Sequence, residues 1–166
     1  MYKINDVVVY KRDVCRVVGK EKSGFTGEKC YVLVPYSNTD GSTRMQVPVS
    51  NKAGHLRDLI TKEEIEDLIQ ETPNIGMLEN KSANMKSQYA NLLKTDQIAD
   101  LVCIIKTSCE RNRIRMEQHK KAASVDDEYL RIAEKYLYEE LSVSLGMSFE
   151  DAKSYFLGEV NKISVD

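Results

Sequence analysis

The sequence predicts an α+β protein, with a small β-module over residues 1–60 and an all-helical module over residues 61–166. Short β-branched runs separated by turn residues fill the first module, and amphipathic segments that begin at capping residues fill the second. The charge balance also changes. Residues 1–60 carry 10 Lys/Arg against 6 Asp/Glu, whereas residues 61–166 carry 14 against 20. Together these changes place a domain boundary near residue 60.

Four apolar, β-branched segments predict strands in the β-module. They are Asp6–Tyr10, Val14–Gly19, Cys30–Pro35 and Thr43–Val49. The polar residues 20–29 predict a hairpin connection, residues 37–42 predict a tight turn, and Pro35 predicts a strand end or a sheet edge. Four short strands at close spacing fit a small SH3- or Tudor-like barrel. The edge of such a sheet either recruits a partner strand or only scaffolds its neighbours.

Five amphipathic segments predict a compact five-helix bundle in the second module. Thr61 and Glu64 have the form of a capping box, and Gly146 lies just past the expected end of the fourth helix. The residues expected to open or cap the five helices are, in order, Thr61, Asn84, Asp96, Ser124 and Ser148.

The third helix ends in the densest basic cluster of the chain, over residues 110–121. Arg111, Arg113 and Arg115 alternate there, and Arg111 and Arg115 share one helix face because they are four residues apart. Two interpretations are open. The cluster is either a surface for phosphate groups or a solvated helix end whose cations complement the helix dipole.

Composition and motifs argue against an enzyme, a membrane protein and a purely electrostatic nucleic-acid binder. The net charge of −2 leaves few cations for counterion release. The longest apolar run is far short of the about 20 residues that span a bilayer. His55 and His119 fall in different modules, and no phosphate-binding loop, catalytic serine motif or metal-ligand spacing is present. We therefore expect a non-enzymatic protein without cofactor, metal, membrane association or small-molecule substrate.

The four cysteines do not form a C-x-x-C motif. They are Cys15, Cys30, Cys103 and Cys109. Reduced thiols in a cytoplasmic protein are the main interpretation, and a zinc site or a redox pair is the minor one. Cys15 and Cys30 lie in or beside apolar strands, where a buried and inert thiol is the usual state. Residues 1–6 turn polar at once, so no signal peptide is expected.

Five short segments occur in an order and at a spacing that resemble one known family. They are residues 4–10 (INDVVVY), 31–33 (YVL), 45–49 (MQVPV), 55–60 (HLRDLI) and 89–94 (YANLLK). Together they resemble the CarD family of bacterial transcription regulators, also called CdnL-like proteins. The N-terminal domain of that family is shared with the RNA-polymerase-interaction domain of the transcription-repair coupling factor.

The resemblance implies a Tudor-like domain that pairs by strand addition with the RNA polymerase β subunit. It also implies a helical domain that contacts promoter DNA and modulates the stability of the open complex. The implied polymerase contacts lie around Lys22, Arg44, Gln46 and Val47. The implied DNA contacts are Asn84, Met85, Lys86 and Tyr89, with Arg111 and Arg115 as basic neighbours.

The sequence departs from the family at positions that serve DNA binding. The family commonly places a tryptophan wedge at the start of the second helix, whereas this chain has no tryptophan, and Asn84 is the nearest position. Met85 beside it is either a smaller wedge or a core residue. Acidic residues 126–128 open the fourth helix where family members often carry basic ones. A further departure lies on the polymerase face of the β-module, where Gln46 replaces a usual arginine. The alternative is a polymerase-binding adaptor whose helices bind another protein.

Overall fold

The computed structural model describes residues 1–37, 42–79 and 82–165, where five strands are followed by five α-helices. The strands are β1 (Val7–Tyr10), β2 (Asp13–Lys22), β3 (Lys29–Pro35), β4 (Met45–Pro48) and β5 (Leu56–Asp58). The helices are α1 (Lys62–Glu71), α2 (Met85–Leu93), α3 (Ile98–Glu117), α4 (Ser124–Leu145) and α5 (Phe149–Val165). The predicted α+β class is confirmed. None of the described helices has both the length and the apolar character needed to cross a membrane.

The chain divides into two compact units, the β-unit (Met1–Leu59) and the helical unit (Ile60–Asp166). In the β-unit the strands form one antiparallel sheet in the order β4-β3-β2-β1-β5. The sheet is open, with β4 and β5 as its two edges. β5 is an addition to the four predicted strands. Residues 38–41 of the predicted turn lie outside the described residues.

The apolar core of the β-unit lies on one face of this sheet. The register pairs Val8 with Cys15, Val17 with Leu33 and Tyr31 with Val47, so these side chains point to the same side. All are buried, and Leu56 of β5 completes the cluster. A bulge at Val18 in β2 shifts the register between Val17 and Gly19, which bends that strand.

Tyr2 attaches the N-terminal segment to this core. Its ring packs edge-on against Tyr31 with the centroids 5.6 Å apart, and its backbone N–H donates to Tyr31 Oη at 3.1 Å. Its hydroxyl donates to Asp58 Oδ1 at 2.7 Å. Burial, together with that hydrogen bond to a carboxylate, raises the pKa of Tyr2 to about 12.

The helical unit is organised around α3 and α4, which pack along each other and carry most of its fully buried side chains. α4 also holds the first residue of the unit. Ile60 donates its N–H to Glu140 at 2.9 Å and accepts from Ser144 Oγ at 2.5 Å. Glu140 and Ser144 are one helical turn apart, so a single face of α4 satisfies both backbone groups of Ile60.

Local signals fix several helix ends as predicted. Thr61 and Glu64 form a complete capping box at α1, and Ser148 accepts from the N–H of Asp151 at 3.1 Å at the start of α5. Gly146 ends α4 in the left-handed conformation with φ of 67°.

One predicted cap was wrong, and one predicted opening was confirmed. α3 has Gln97 rather than Asp96 at its N-cap, whereas α4 begins at Ser124 as predicted, with Ala123 as its N-cap. Neither end has a side-chain capping bond to the backbone.

Replacement of Thr61 tests whether its capping bond stabilises α1. Thr61→Ala removes the hydroxyl that accepts from the N–H of Glu64 at 3.1 Å. We expect the free energy of unfolding of the helical unit to fall by about 1 kcal/mol, measured by urea denaturation followed by circular dichroism. Thr43→Ala, at an exposed position outside the helices and strands, is the control and should leave stability unchanged. Equal losses in both variants would contradict the capping role.

Candidate functional site

The two edges of the sheet are the first candidate surface, because an edge strand can pair with a strand of another protein. Just after β4, Val49 donates its N–H to Lys29 O at 3.0 Å. Ladder bonds alternate along an antiparallel strand, so the backbone groups of Val47 and Met45 also point to β3. The N–H and C=O of Gln46 therefore point away from the sheet. The same geometry places Pro48 at an outward position, where its missing N–H breaks no ladder bond.

The edge of β5 is closed by side chains of the β-unit itself. Asn51 receives the N–H of Leu56 on Oδ1 at 3.2 Å and donates from Nδ2 to Leu56 O at 2.8 Å. Arg57 donates to the carbonyl of Asp58 at 3.1 Å. The Asn51 amide thus occupies the position that a partner strand would take. Of the two edges, only β4 keeps an outward N–H and C=O pair, at Gln46, that no described residue bonds.

Three of the four predicted polymerase contacts have exposed side chains. Lys22 lies at the end of β2, Arg44 just precedes β4, and Gln46 donates from Nε2 to Glu21 Oε1 at 2.6 Å. Val47 must be corrected. Its side chain is 3% exposed within the sheet core and its backbone groups pair with β3, so it has no group available to a partner.

Three of the six predicted DNA contacts are buried in the helical unit. Met85 and Tyr89 of α2 are fully buried, and Arg111 of α3 is 7% exposed. Direct contact of these side chains with DNA is therefore excluded in this conformation, and that prediction must be corrected. For Met85, the core interpretation is the right one.

Tyr89 and Arg111 are buried because they bond to Asp126, and these three residues form the buried cluster. Asp126 of α4 is completely buried and accepts hydrogen bonds from Tyr89 and Arg111. Tyr89 Oη donates at 2.6 Å, and the single N–H of Arg111 Nε is shared between the two carboxylate oxygens, at 2.9 Å and 3.0 Å. Tyr89 also stacks on Tyr129 at 5.2 Å between centroids. Burial, and then the hydrogen bond to Asp126, raise the pKa of Tyr89 above its usual value.

Ion pairing further reduces the charge of the predicted basic cluster. Arg113 bonds Glu110 at 2.5 Å and also bonds Glu117, so its charge is balanced within α3. Exposed Asn84 and Lys86 and half-buried Arg115 remain accessible among the predicted DNA contacts. Since Arg111 and Arg113 are paired and Arg115 lies in the last turn of α3, the interpretation as a solvated helix end whose cations complement the helix dipole fits these contacts better than a phosphate-binding surface.

The buried thiols have the environment of inert cysteines. Burial raises the pKa of Cys15 to about 12, so at neutral pH it is almost wholly protonated. Desolvation also raises the pKa of half-buried Cys103 and of Cys109, although Cys109 is exposed at the surface of α3. Among the residues that the structure describes, no group of three or more His, Cys, Asp or Glu side chains is placed to hold a metal ion.

Sequence reasoning missed two residues that the structure makes important. Asn51 lies in the short connection between β4 and β5 and gives no motif signal. Asp126 stood out only as part of an acidic helix start, and its partner Arg111 lies 15 residues earlier. A pairing of charges across two helices leaves no regular spacing to detect.

A double-mutant cycle tests the buried cluster. Asp126→Leu leaves the Arg111 charge without its carboxylate, and we expect a loss of about 3–5 kcal/mol in the free energy of unfolding. Arg111→Met combined with Asp126→Leu should recover much of that loss, because no buried charge is then unpaired. Urea denaturation of the single and double variants gives the coupling energy.

Glu128→Leu is the matched control, since Glu128 is exposed on the same turn of α4. It should change stability by less than about 0.5 kcal/mol. A loss below about 1 kcal/mol for Asp126→Leu would contradict a structural role for the cluster.

The resemblance to the CarD family rests only on the residues of this sequence, because comparison with known proteins adds no support for it. No protein-family model matches this sequence, and a search of curated protein sequences finds no match.

Proposed function

We propose that this chain is a non-enzymatic transcription regulator of the CarD type, which binds the RNA polymerase β subunit by strand addition at β4. The observation that carries the proposal is the asymmetry of the sheet edges. On β5, Asn51 bonds both outward groups of Leu56 and Arg57 bonds the carbonyl of Asp58, whereas Gln46 presents an outward N–H and C=O on β4. The proposed docking strand is also the segment that resembles the family.

The geometry limits how a partner strand would pair. Gln46 would donate its N–H to the partner and accept a bond on its carbonyl. The next outward residue, Pro48, has no N–H to offer, and its carbonyl already accepts from Asn51 at 3.0 Å. The backbone contact is therefore short, and the exposed side chains of Arg44 and Lys22 would supply further contacts.

A Tudor-like curvature of the sheet is part of the same proposal. The bulge at Val18 supports it, because a bulge bends a strand and increases its local twist. A curved sheet would present β4 at a rim.

Substitution of Gln46 tests the backbone contact directly. Gln46→Pro deletes the outward N–H without removing a ladder bond. We expect the affinity of the full chain for purified core RNA polymerase to fall about tenfold, which corresponds to about 1.4 kcal/mol. Fluorescence anisotropy of the labelled chain measures it.

Gln46→Ala is the matched control, because it removes the side chain and its bond to Glu21 but keeps the backbone N–H. It should bind within about twofold of the unmodified chain. If Gln46→Pro binds as tightly as Gln46→Ala, strand addition at β4 is wrong. Absence of any binding by the unmodified chain would reject the polymerase partner itself.

For the helical unit, we propose a second protein as partner in preference to promoter DNA. Burial of Met85, Tyr89 and Arg111 is the specific observation that favours this alternative. The role implied by the family resemblance, contact with promoter DNA, would have to use Asn84, Lys86 and Arg115.

Titration with DNA separates these two partners. In an electrophoretic titration of a forked promoter fragment at low salt, we expect weak binding that Lys86→Ala/Arg115→Ala changes by less than about twofold, since few cations are accessible. The promoter-DNA role would be supported instead by a salt-sensitive complex whose slope falls by about 1 for each cation removed.

A further inference from the structure

A groove on the helical unit combines apolar walls with cations, and nothing in the proposed function uses it. It is an open groove of about 410 Å³ beside α4 and the first turns of α5. This volume lies within the about 300–1,000 Å³ typical of small-molecule sites. The groove residues are Arg131, Ile132, Glu134, Lys135, Phe149 and Lys153.

The apolar part of the groove comes from Ile132 of α4 and Phe149 of α5. Both are only partly buried while packing against the core of the helical unit. Phe149 is held by an edge-on contact with Tyr138, with the ring centroids 5.9 Å apart. Because their remaining surface is wetted, an apolar ligand that covers it would gain the free energy of burial, about 25 cal/mol per Å².

The charged part of the groove is cationic. Arg131 and Lys135 are exposed and one turn apart on α4, and in the described part of the chain neither pairs with a carboxylate. Lys153 bonds Glu134 at 2.8 Å, so those two groove charges cancel. The hydrogen bond with Glu134, and to a smaller extent the charge of nearby Glu150, raise the pKa of Lys153.

The charges that line the groove favour an anionic ligand. Arg131 and Lys135 supply two positive charges after the pair of Lys153 and Glu134 is set aside, and Glu150 reduces this excess at one end. A single negative charge matches the remainder better than a dianion does. The planar guanidinium of Arg131 suits a carboxylate, which it can hold with two parallel hydrogen bonds.

From these contacts we infer that the groove beside α4 and α5 binds a small amphipathic carboxylate. The carboxylate lies between Arg131 and Lys135, and its apolar body covers Ile132 and Phe149. This is a ligand site on the helical unit. It stands independently of polymerase docking at β4.

Binding of sodium decanoate to the full chain tests the inference. Isothermal titration below the concentration at which decanoate forms micelles should give saturable binding at one site. Arg131→Glu/Lys135→Glu should weaken this binding at least about tenfold, because each change places a negative charge where the carboxylate lies. Arg131→Gln/Lys135→Gln should weaken it less.

Lys86→Glu/Lys94→Glu is the matched control, since it makes the same change in net charge at two exposed lysines on and just after α2. It should bind decanoate within about twofold of the unmodified chain, as a distant charge is screened by salt. Decyltrimethylammonium, which has a similar apolar chain and the opposite charge, should not bind.

Three results would overturn the inference. They are no saturable binding of decanoate, equal weakening by the groove and control variants, and equal binding of the cationic probe. Thermal unfolding of each variant, expected to match the unmodified chain, shows that a lost affinity is not a lost fold. Since decanoate binding needs no polymerase, failure here leaves the proposal for β4 untouched.

Discussion

The buried carboxylate of Asp126 links three helices, since Tyr89 comes from α2, Arg111 from α3 and Asp126 from α4. Taking these charges out of water costs several kcal/mol, and the cost is offset only while all the hydrogen bonds are made together. The cluster therefore restricts how the helices can pack, because an apolar contact tolerates small shifts and a bonded carboxylate does not. It also buries Arg111 and Tyr89, which the family resemblance implied as DNA contacts.

The features that the sequence predicted correctly depend on residues that are close together along the chain. The capping box at Thr61, the cap at Ser148 and the left-handed Gly146 each involve residues within one helical turn, so their chemistry is visible in a short window. Asp96 failed as a cap although it is a good capping residue, because α3 begins one position later than the pattern indicated.

The features that the sequence did not predict depend on contacts between residues that are distant in sequence. The strand β5 has only three residues and forms through pairing with β1, so its own composition gives little signal. The basic cluster of α3 was conspicuous in the sequence, yet two of its three arginines are paired, Arg111 with Asp126 and Arg113 with Glu110 and Glu117. At the sheet, composition could not distinguish the two edges, because the difference lies in where the Asn51 amide reaches. Local chemistry thus predicted the helices and the sheet better than it predicted the surfaces.

The attachment of Ile60 to α4 has a consequence for the order in which the chain can fold during synthesis. The N–H of Ile60 bonds a carboxylate 80 residues later, and its carbonyl bonds a hydroxyl 84 residues later. The ribosome must therefore release most of α4 before the first residue of the helical unit is satisfied. The β-unit closes much earlier, once β5 has emerged to pair with β1. A nascent chain would carry a finished sheet, with the edge of β4 formed, while its helices were still incomplete.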